Sequence, residues 1–504
     1  MKALFRIVAF FVGVVGLQGQ AAQFWSPKAL QELPGYFSYY DVACNKQGRA
    51  IAVFEDNILG EYVADRDSWQ FFTCSYDTLE ISPLQIGQER PFSLGVTAQQ
   101  KTVLLNAEGN GFVLTCLKEG PYAGRLVAIG YKEGHFAKGE VLSEGKAIMP
   151  VVAGALYDKT IAVWIHAEES SPDYLSLMAS YYDGSSWKSQ GVISEYKSIA
   201  MSYRQSAPQV VMNDFGDAVV VWKVRYNSQK EEQPALMVTY YDGIDHVWLA
   251  SEELSPQHPD KKSFSLAGNG NGDVLVAWES EQGVEASFLN STEWIARAAG
   301  LRAMQSWNKE VTPAYLEKNE WMTTTLAQGN MNGAPQAAIN SQGIGQVIWL
   351  EGYEGVRSAC FKVYERKWTD VNQVVSSKAA YTLNLTPCDP GKMLAVWIAE
   401  NGISDERVQY SFFDPTTQAW AREQTLYMEG QTLVDHLQAL SIVDGNHGML
   451  LWYDFFKESL YVSQLREAED LTQQPELEVK RTKMEGRAYQ KKMELVQRRR
   501  DRSK

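Results

Sequence analysis

Cysteine, histidine and basic charge are all scarce in this chain of 504 residues. Its five cysteines (Cys44, Cys74, Cys116, Cys360 and Cys388) stand far apart, with no CxxC pair among them. That spacing excludes the common structural zinc sites, whose ligands come in close pairs. An odd count leaves one thiol without an intramolecular partner even in an oxidising compartment, and no pairing can be read from the spacing. The 6 histidines (135, 166, 246, 258, 436 and 447) show no metal-ligand spacing, so no metal is expected. No cofactor is expected either. The stretch "GNGNGD", residues 268–273, lacks the βαβ surroundings of a dinucleotide loop. As a calcium loop it lacks the Gly after Asp273 and the terminal acidic ligand, because position 280 is Ser, so it reads as a turn. A formal net charge of −14 weighs against nucleic acid as the partner of the whole body. Beyond the N-terminus no run approaches the ~20 apolar residues of a spanning helix.

The one long apolar run opens the chain. Lys2 and Arg6 precede "IVAFFVGVVGL", and small residues follow in "QGQAAQ", the pattern of a secretion signal over residues 1–22. An exported protein is expected: periplasmic, cell-surface or secreted. The other end is basic. Residues 480–504 hold eleven Lys/Arg against three Asp/Glu, a local +8 that leaves −22 for the remainder. The charged tail, 466–504, is broken by Pro475 and carries Tyr489, Met493 and Val496 as one apolar helical stripe. Its basic end suits an acidic surface or anionic lipid.

Between these ends one phrase is written repeatedly. "SLMASYYDGSSWKSQGVIS", residues 176–194, returns as "ALMVTYYDGIDHVWLASEELS", residues 235–255. A preceding half-unit, "SAPQVVMNDFGDAVVVWKV" (206–224), runs through an Asn/Asp/Gly turn to a Trp. Equivalent anchors fall at Phe54, Phe112, Trp164, Trp222, Trp278, Trp349, Trp397 and Trp452, with a mean spacing of about 57 residues. Each unit holds four short β-type runs, in the fourth unit near 207–212, 217–224, 235–241 and 246–254. No helical period intervenes, and unbroken runs such as "AVVVW" indicate strands covered on both faces.

Repeated four-stranded antiparallel sheets with covered faces predict an all-β fold, a β-propeller over residues 23–465. Eight anchors predict eight blades, with seven as the alternative count. The last unit has only three runs, and "QFWSPKALQELPG" (23–35) resembles a missing fourth one, so the N-terminal strand is expected to close the ring. The longest anchor spacing, 71 residues, places an insertion within 299–332, with Trp307, Tyr315 and Trp321 in it.

The phrase "SYYDGSSW" resembles the Asp-box of sialidase-like propellers, with Ser180, Gly184 and Trp187 on that motif's Ser, Gly and Trp and Asp183 one place late. Later copies weaken to "NSTEW" and "YERKW". The resemblance implies a hairpin turn between third and fourth strands, remote from any catalytic centre. Asp-Gly turn chemistry and Trp packing give the same answer, so the phrase marks a shape. The resemblance would also imply three substrate-clamping arginines and a Tyr nucleophile paired with Glu. The only Phe-Arg-Ile match, Phe5 to Ile7, lies in the expected signal, and Arg204, Arg225, Arg357 and Arg407 share no common motif.

One chemical pattern remains, carboxylates just after the anchors: Glu168, Glu169, Glu231, Glu232, Glu279, Glu281, Glu351, Glu354, Glu400 and Asp454. On a propeller these loops share one face, where converging negative charge suits a cationic ligand, a divalent ion or a basic protein segment. The expected ligand-binding residues are therefore Glu279, Glu351, Glu354 and Glu400, with Trp307 and Trp321 from the insertion. The expected function is a non-catalytic exported module binding protein or glycan. The alternative is a sialidase-like glycoside hydrolase with an unrecognised site.

Overall fold

The computed structural model describes residues 23–24, 28–29, 41–45, 49–54, 58–63, 68–83, 101–155, 158–167, 175–196, 207–228, 231–255, 263–280, 282–289, 321–328, 335–352, 355–388, 391–400, 406–426, 434–442, 448–454 and 459–466. The expected signal, residues 1–22, and the tail beyond Arg466 lie outside this set. Among the described residues there is no helix, and every strand belongs to one of eight antiparallel sheets of four or five strands. We number the sheets 1 to 8 by their first strands: Asp41–Cys44, Lys101–Leu105, Lys146–Gly154, Gln209–Met212, Phe264–Gly268, Gln336–Ile339, Ala380–Cys388 and Val434–Ile442.

The repeat period becomes the sheet. Each anchor lies on, or one residue beyond, a second strand, the central position where both faces are covered. Phe54, Trp164, Trp222, Trp278, Trp349, Trp397 and Trp452 are all buried almost completely. Phe112 is half-buried, its ring edge-on to Tyr182 at 4.7 Å and Trp187 at 5.0 Å in the neighbouring sheet. Most apolar clusters span two consecutive sheets: Ile161, Val163 and Leu177 of sheet 3 pack with Val220, Trp222 and Met237 of sheet 4. The aromatic rings thus fill the space between stacked sheets.

Two kinds of turn recur, and where both occur they lie at the same end of the sheet because the strands alternate direction. Between first and second strands, Asn106, Asn213, Asn269 and Asn340 each accept two backbone N–H groups from their own turn, as Asn213 does from Phe215 (3.0 Å) and Asp217 (2.9 Å). The Gly three places on takes φ between 73° and 94°, a left-handed conformation that a Cβ disfavours. "GNGNGD" is one of these turns.

Between third and fourth strands lies the repeated phrase. Asp183 accepts from the backbone of Ser185 and Ser186, and Asp242 from Ile244 and Asp245. The preceding hydroxyl crosses to the fourth strand: Ser180 donates to the Lys188 carbonyl (3.1 Å) and Thr239 to the Leu249 carbonyl (2.7 Å). "SFFD", residues 411–414, makes a third full copy, with Ser411 donating to Ala421 (2.7 Å) and Asp414 accepting from Thr416 (2.8 Å).

First strands touch first strands in a cycle: sheet 1 with 2, 2 with 3, onward to 8, and 8 with 1. Side chains stitch several of these contacts. Asp41 accepts from the Val103 backbone (3.0 Å), Gln209 bridges Phe264 and Leu266, and Ser265 accepts from the Ala337 backbone. Sheet 8 takes its outer strand from the other end of the chain. Gln23–Phe24 and Lys28–Ala29 both pair antiparallel with Ser459–Arg466, Gln23 opposite Arg466. Sheets 2, 4 and 7 show the same broken outer strand, for example Val247–Trp248 and Glu252–Glu253, two pairs of residues separated by three.

Candidate functional site

The strand order decides which expected site residues share a neighbourhood. Connections between second and third strands lie at the end of each sheet opposite both recurring turns. Glu279 and Ser280 close the second strand of sheet 5, facing Val284 and Gly283, and Glu279 is buried rather than displayed. Glu351 follows the second strand of sheet 6, and its carboxylate accepts from the Arg357 guanidinium across the hairpin. Both partners are about one-fifth exposed, so this pair is mostly buried with its edge reaching solvent. Glu400 ends the second strand of sheet 7, opposite Glu406. Glu354, Glu168, Glu169 and Glu281 lie outside the described residues. Glu279, Glu351 and Glu400 thus lie at one end of their sheets.

Of the two expected tryptophans, Trp321 is described and lies elsewhere. Trp307 and Tyr315 fall in 290–320, outside the described residues, but the strands around them fix the connection: it joins Gly283–Leu289 to Met322–Gln328 in sheet 5. The insertion therefore replaces a turn of the repeated-phrase type, at the opposite end from Glu279. Trp321 opens the outer strand there, half-buried against the sheet 4–5 core, and its indole N–H donates to the Tyr240 hydroxyl (2.9 Å). Among the described residues, Glu279, Glu351 and Glu400 thus lie at one end of their sheets and Trp321 at the other.

A tyrosine–glutamate pair that sequence reasoning missed lies between sheets 1 and 2. The Tyr131 hydroxyl donates to the Glu61 carboxylate at 2.7 Å, and both residues are buried. Burial, then the carboxylate, drive the Tyr131 phenol well above its ordinary range, with the Arg49 charge opposing. A nucleophilic tyrosine needs the opposite shift, and this pair sits toward the recurring-turn end. It fastens two sheets. Other buried carboxylates are engaged in the same way: Glu285 accepts from the Trp278 indole (3.0 Å), and Asp217 from the Gly243 backbone (2.9 Å). Asp41 is partly buried between first strands, and burial raises its carboxyl to about 6 against three hydrogen bonds that favour the charge. No group of three or more His, Cys, Asp or Glu able to hold a metal occurs among the described residues, and all five cysteines are buried. Burial alone lifts the Cys74 thiol to about 11. No helix among the described residues is long and apolar enough to cross a membrane.

No protein-family model matches this chain, and no curated protein matches it in sequence. Among solved structures, the NanB sialidase from Streptococcus pneumoniae is similar at a TM-score of 0.35 and 8% identity, over 89% of this chain and 94% of that one. The fungal Aleuria aurantia lectin, a six-bladed β-propeller with a fucose recognition mode, is similar at 0.35 and 11%, over 66% and 99%. The polysaccharide lyase Uly1 is similar at 0.43 and 12%, over 81% and 98%. No activity is transferred across likenesses this distant.

Proposed function

We propose that residues 23–465 form an eight-bladed β-propeller closed by its N-terminal strand, exported by the signal over 1–22, and that it is a non-catalytic module binding a protein or glycan. The cycle of first-strand contacts and the pairing of Gln23 with Arg466 support the closed ring. The binding face assigned is the one formed by the connections between second and third strands, with Glu351, Arg357, Glu354 and Glu400 on it. The observation that carries this assignment is the contrast between the two faces. At the recurring-turn end the same hydrogen-bonded turns are repeated in sheets 2 to 7, with one long connection, 290–321 in sheet 5, as the exception. At the other end the connections vary, from 229–230 in sheet 4 to 117–125 in sheet 2. Repetition serves the scaffold, and variation on a rigid scaffold serves recognition.

The reading is tested by glycan-array binding together with a fluorogenic glycoside screen, using the mature protein and its Glu351→Gln and Arg357→Ala variants. Binding without turnover, weakened in both variants, is the expected result. Turnover abolished by a single loop carboxylate change would replace this reading with the sialidase-like hydrolase.

A further inference from the structure

The recurring-turn face carries an exposed apolar tip at sheet 4. Phe215, at the turn between first and second strands, is 62% exposed, and Ile244, in the turn between third and fourth, is 63% exposed. The two turns touch: a Cβ added to Gly243 would lie 2.3 Å from the Gly216 carbonyl oxygen, so Phe215 and Ile244 flank one backbone contact. Val247 adds a third exposed apolar side chain beside them, 39% exposed. The charge around this tip is acidic. At this end sheets 3 and 4 present Asp158, Asp183, Asp214 and Asp245 against Lys159 and Lys188. Lys188 is already paired with Asp183 (3.7 Å), and Lys159 donates to the Phe215 carbonyl (3.3 Å).

The chain's basic tail leaves from this same face. In every other sheet the third and fourth strands are joined here, and in sheet 8 that junction is the break between Arg466 and Gln23. Residues 467–504 therefore start on the face that carries the acidic, apolar tip, not on the face of Glu351 and Glu400. In the tail sequence Tyr489, Met493 and Val496 are spaced four and three residues apart, followed by Arg498, Arg499 and Arg500. Reach is sufficient. Residues 467–488 extend to about 70 Å, whereas a compact body of this length is roughly 60 Å across.

We propose that the tail docks back within the same molecule onto the sheet 4 tip, with Tyr489, Met493 and Val496 over Phe215 and Ile244 and the arginines toward Asp214 and Asp245. The contact is a tether whose occupancy falls with salt, because exposed charges are screened over about 10 Å at 0.1 M ionic strength. It does not depend on which ligand the opposite face binds.

Trypsin digestion of the full mature chain, with peptides from 480–504 followed by mass spectrometry, tests the tether. Cleavage tracks the undocked population, so at low salt it should run about tenfold slower than for the isolated peptide of the same residues. At 0.5 M salt the two rates should converge. The double variant Phe215→Ser/Ile244→Ser, at positions too exposed to disturb the fold, should remove the protection at low salt. Low-salt cleavage as fast as in the free peptide overturns the proposal, and so does protection that the double variant leaves intact. Protection that rises with protein concentration means contact between copies and overturns the intramolecular tether.

Discussion

Trp278→Phe and Trp349→Phe delete the same atoms at equivalent buried positions and should nonetheless differ in cost. Both indoles are essentially unexposed on second strands of adjacent sheets. Each loses part of a ring, about 1–2 kcal/mol at a site of this burial. The Trp278 indole N–H also donates to Glu285, itself only 8% exposed. The Trp349 indole N–H has no hydrogen-bond partner among the described residues. Phe at 278 strands a buried carboxylate, which adds about 1.5–3 kcal/mol. Phe at 349 removes an unpaired donor and adds nothing. The expected gap is about 2 kcal/mol, measured as urea-unfolding free energies from circular dichroism at a common slope. A double-mutant cycle with Glu285→Met isolates the term: Trp278→Phe should cost about 2 kcal/mol less once the acid is gone. Equal costs at 278 and 349, or a coupling below about 0.5 kcal/mol, would refute the claim that this carboxylate is retained for the indole.

Deleting residues 23–29 removes the outer strand of sheet 8 and bares an edge, so it should cost several kcal/mol and raise light scattering on heating. A deletion variant that melts like the mature chain would discredit the closing strand. Asp41 has a folded pKa of about 6 against an ordinary 3.8. Its stabilising contribution is therefore present at low pH and lost as pH rises through about 6, by no more than about 3 kcal/mol. Stability of the wild type relative to Asp41→Asn should fall from about pH 4 to about pH 7, and a flat difference would show that the carboxyl titrates normally. Glu351→Gln strips the charge from a mostly buried pair with Arg357 and should cost about 1.5–3 kcal/mol in thermal unfolding, and a loss under about 0.5 kcal/mol would show that the pair behaves as an exposed one.

The scaffold was legible because it is written many times. Trp164 to Trp452 all fell on second strands, and the expected run 217–224 is the core of Ala218–Ser228. Tyr-Tyr-Asp-Gly proved to be a hydrogen-bonded turn. The copy at Ser411–Asp414 was overlooked because Phe-Phe replaces Tyr-Tyr and Pro415 replaces Gly, yet the residues that make the bonds, Ser and Asp, are kept. Most of the insertion expected within 299–332, together with "NSTEW", lies outside the described residues, between Gly283–Leu289 and Met322–Gln328. The site was poorly legible for a physical reason. Carboxylates after the anchors look alike in sequence, whereas burial separates them: Glu279 is enclosed, and Glu351 reaches solvent beside Arg357. Tyr131 and Glu61 are 70 residues apart, and no local pattern predicts that they meet.

The pairing of Gln23 with Arg466 also sets a timetable. Seven sheets form from contiguous sequence, and each can assemble as soon as its own strands are available. The eighth needs residues about 440 positions apart, the costliest loop closure in the molecule. Its assembly comes last, after every other strand exists, and until then sheet 8 presents an open strand edge. The same seam governs the reverse process. A body whose sheets hold one another in a cycle cannot peel from an end while both ends are locked in one sheet, so resistance to unfolding is set by how fast a handful of outer-strand pairs let go.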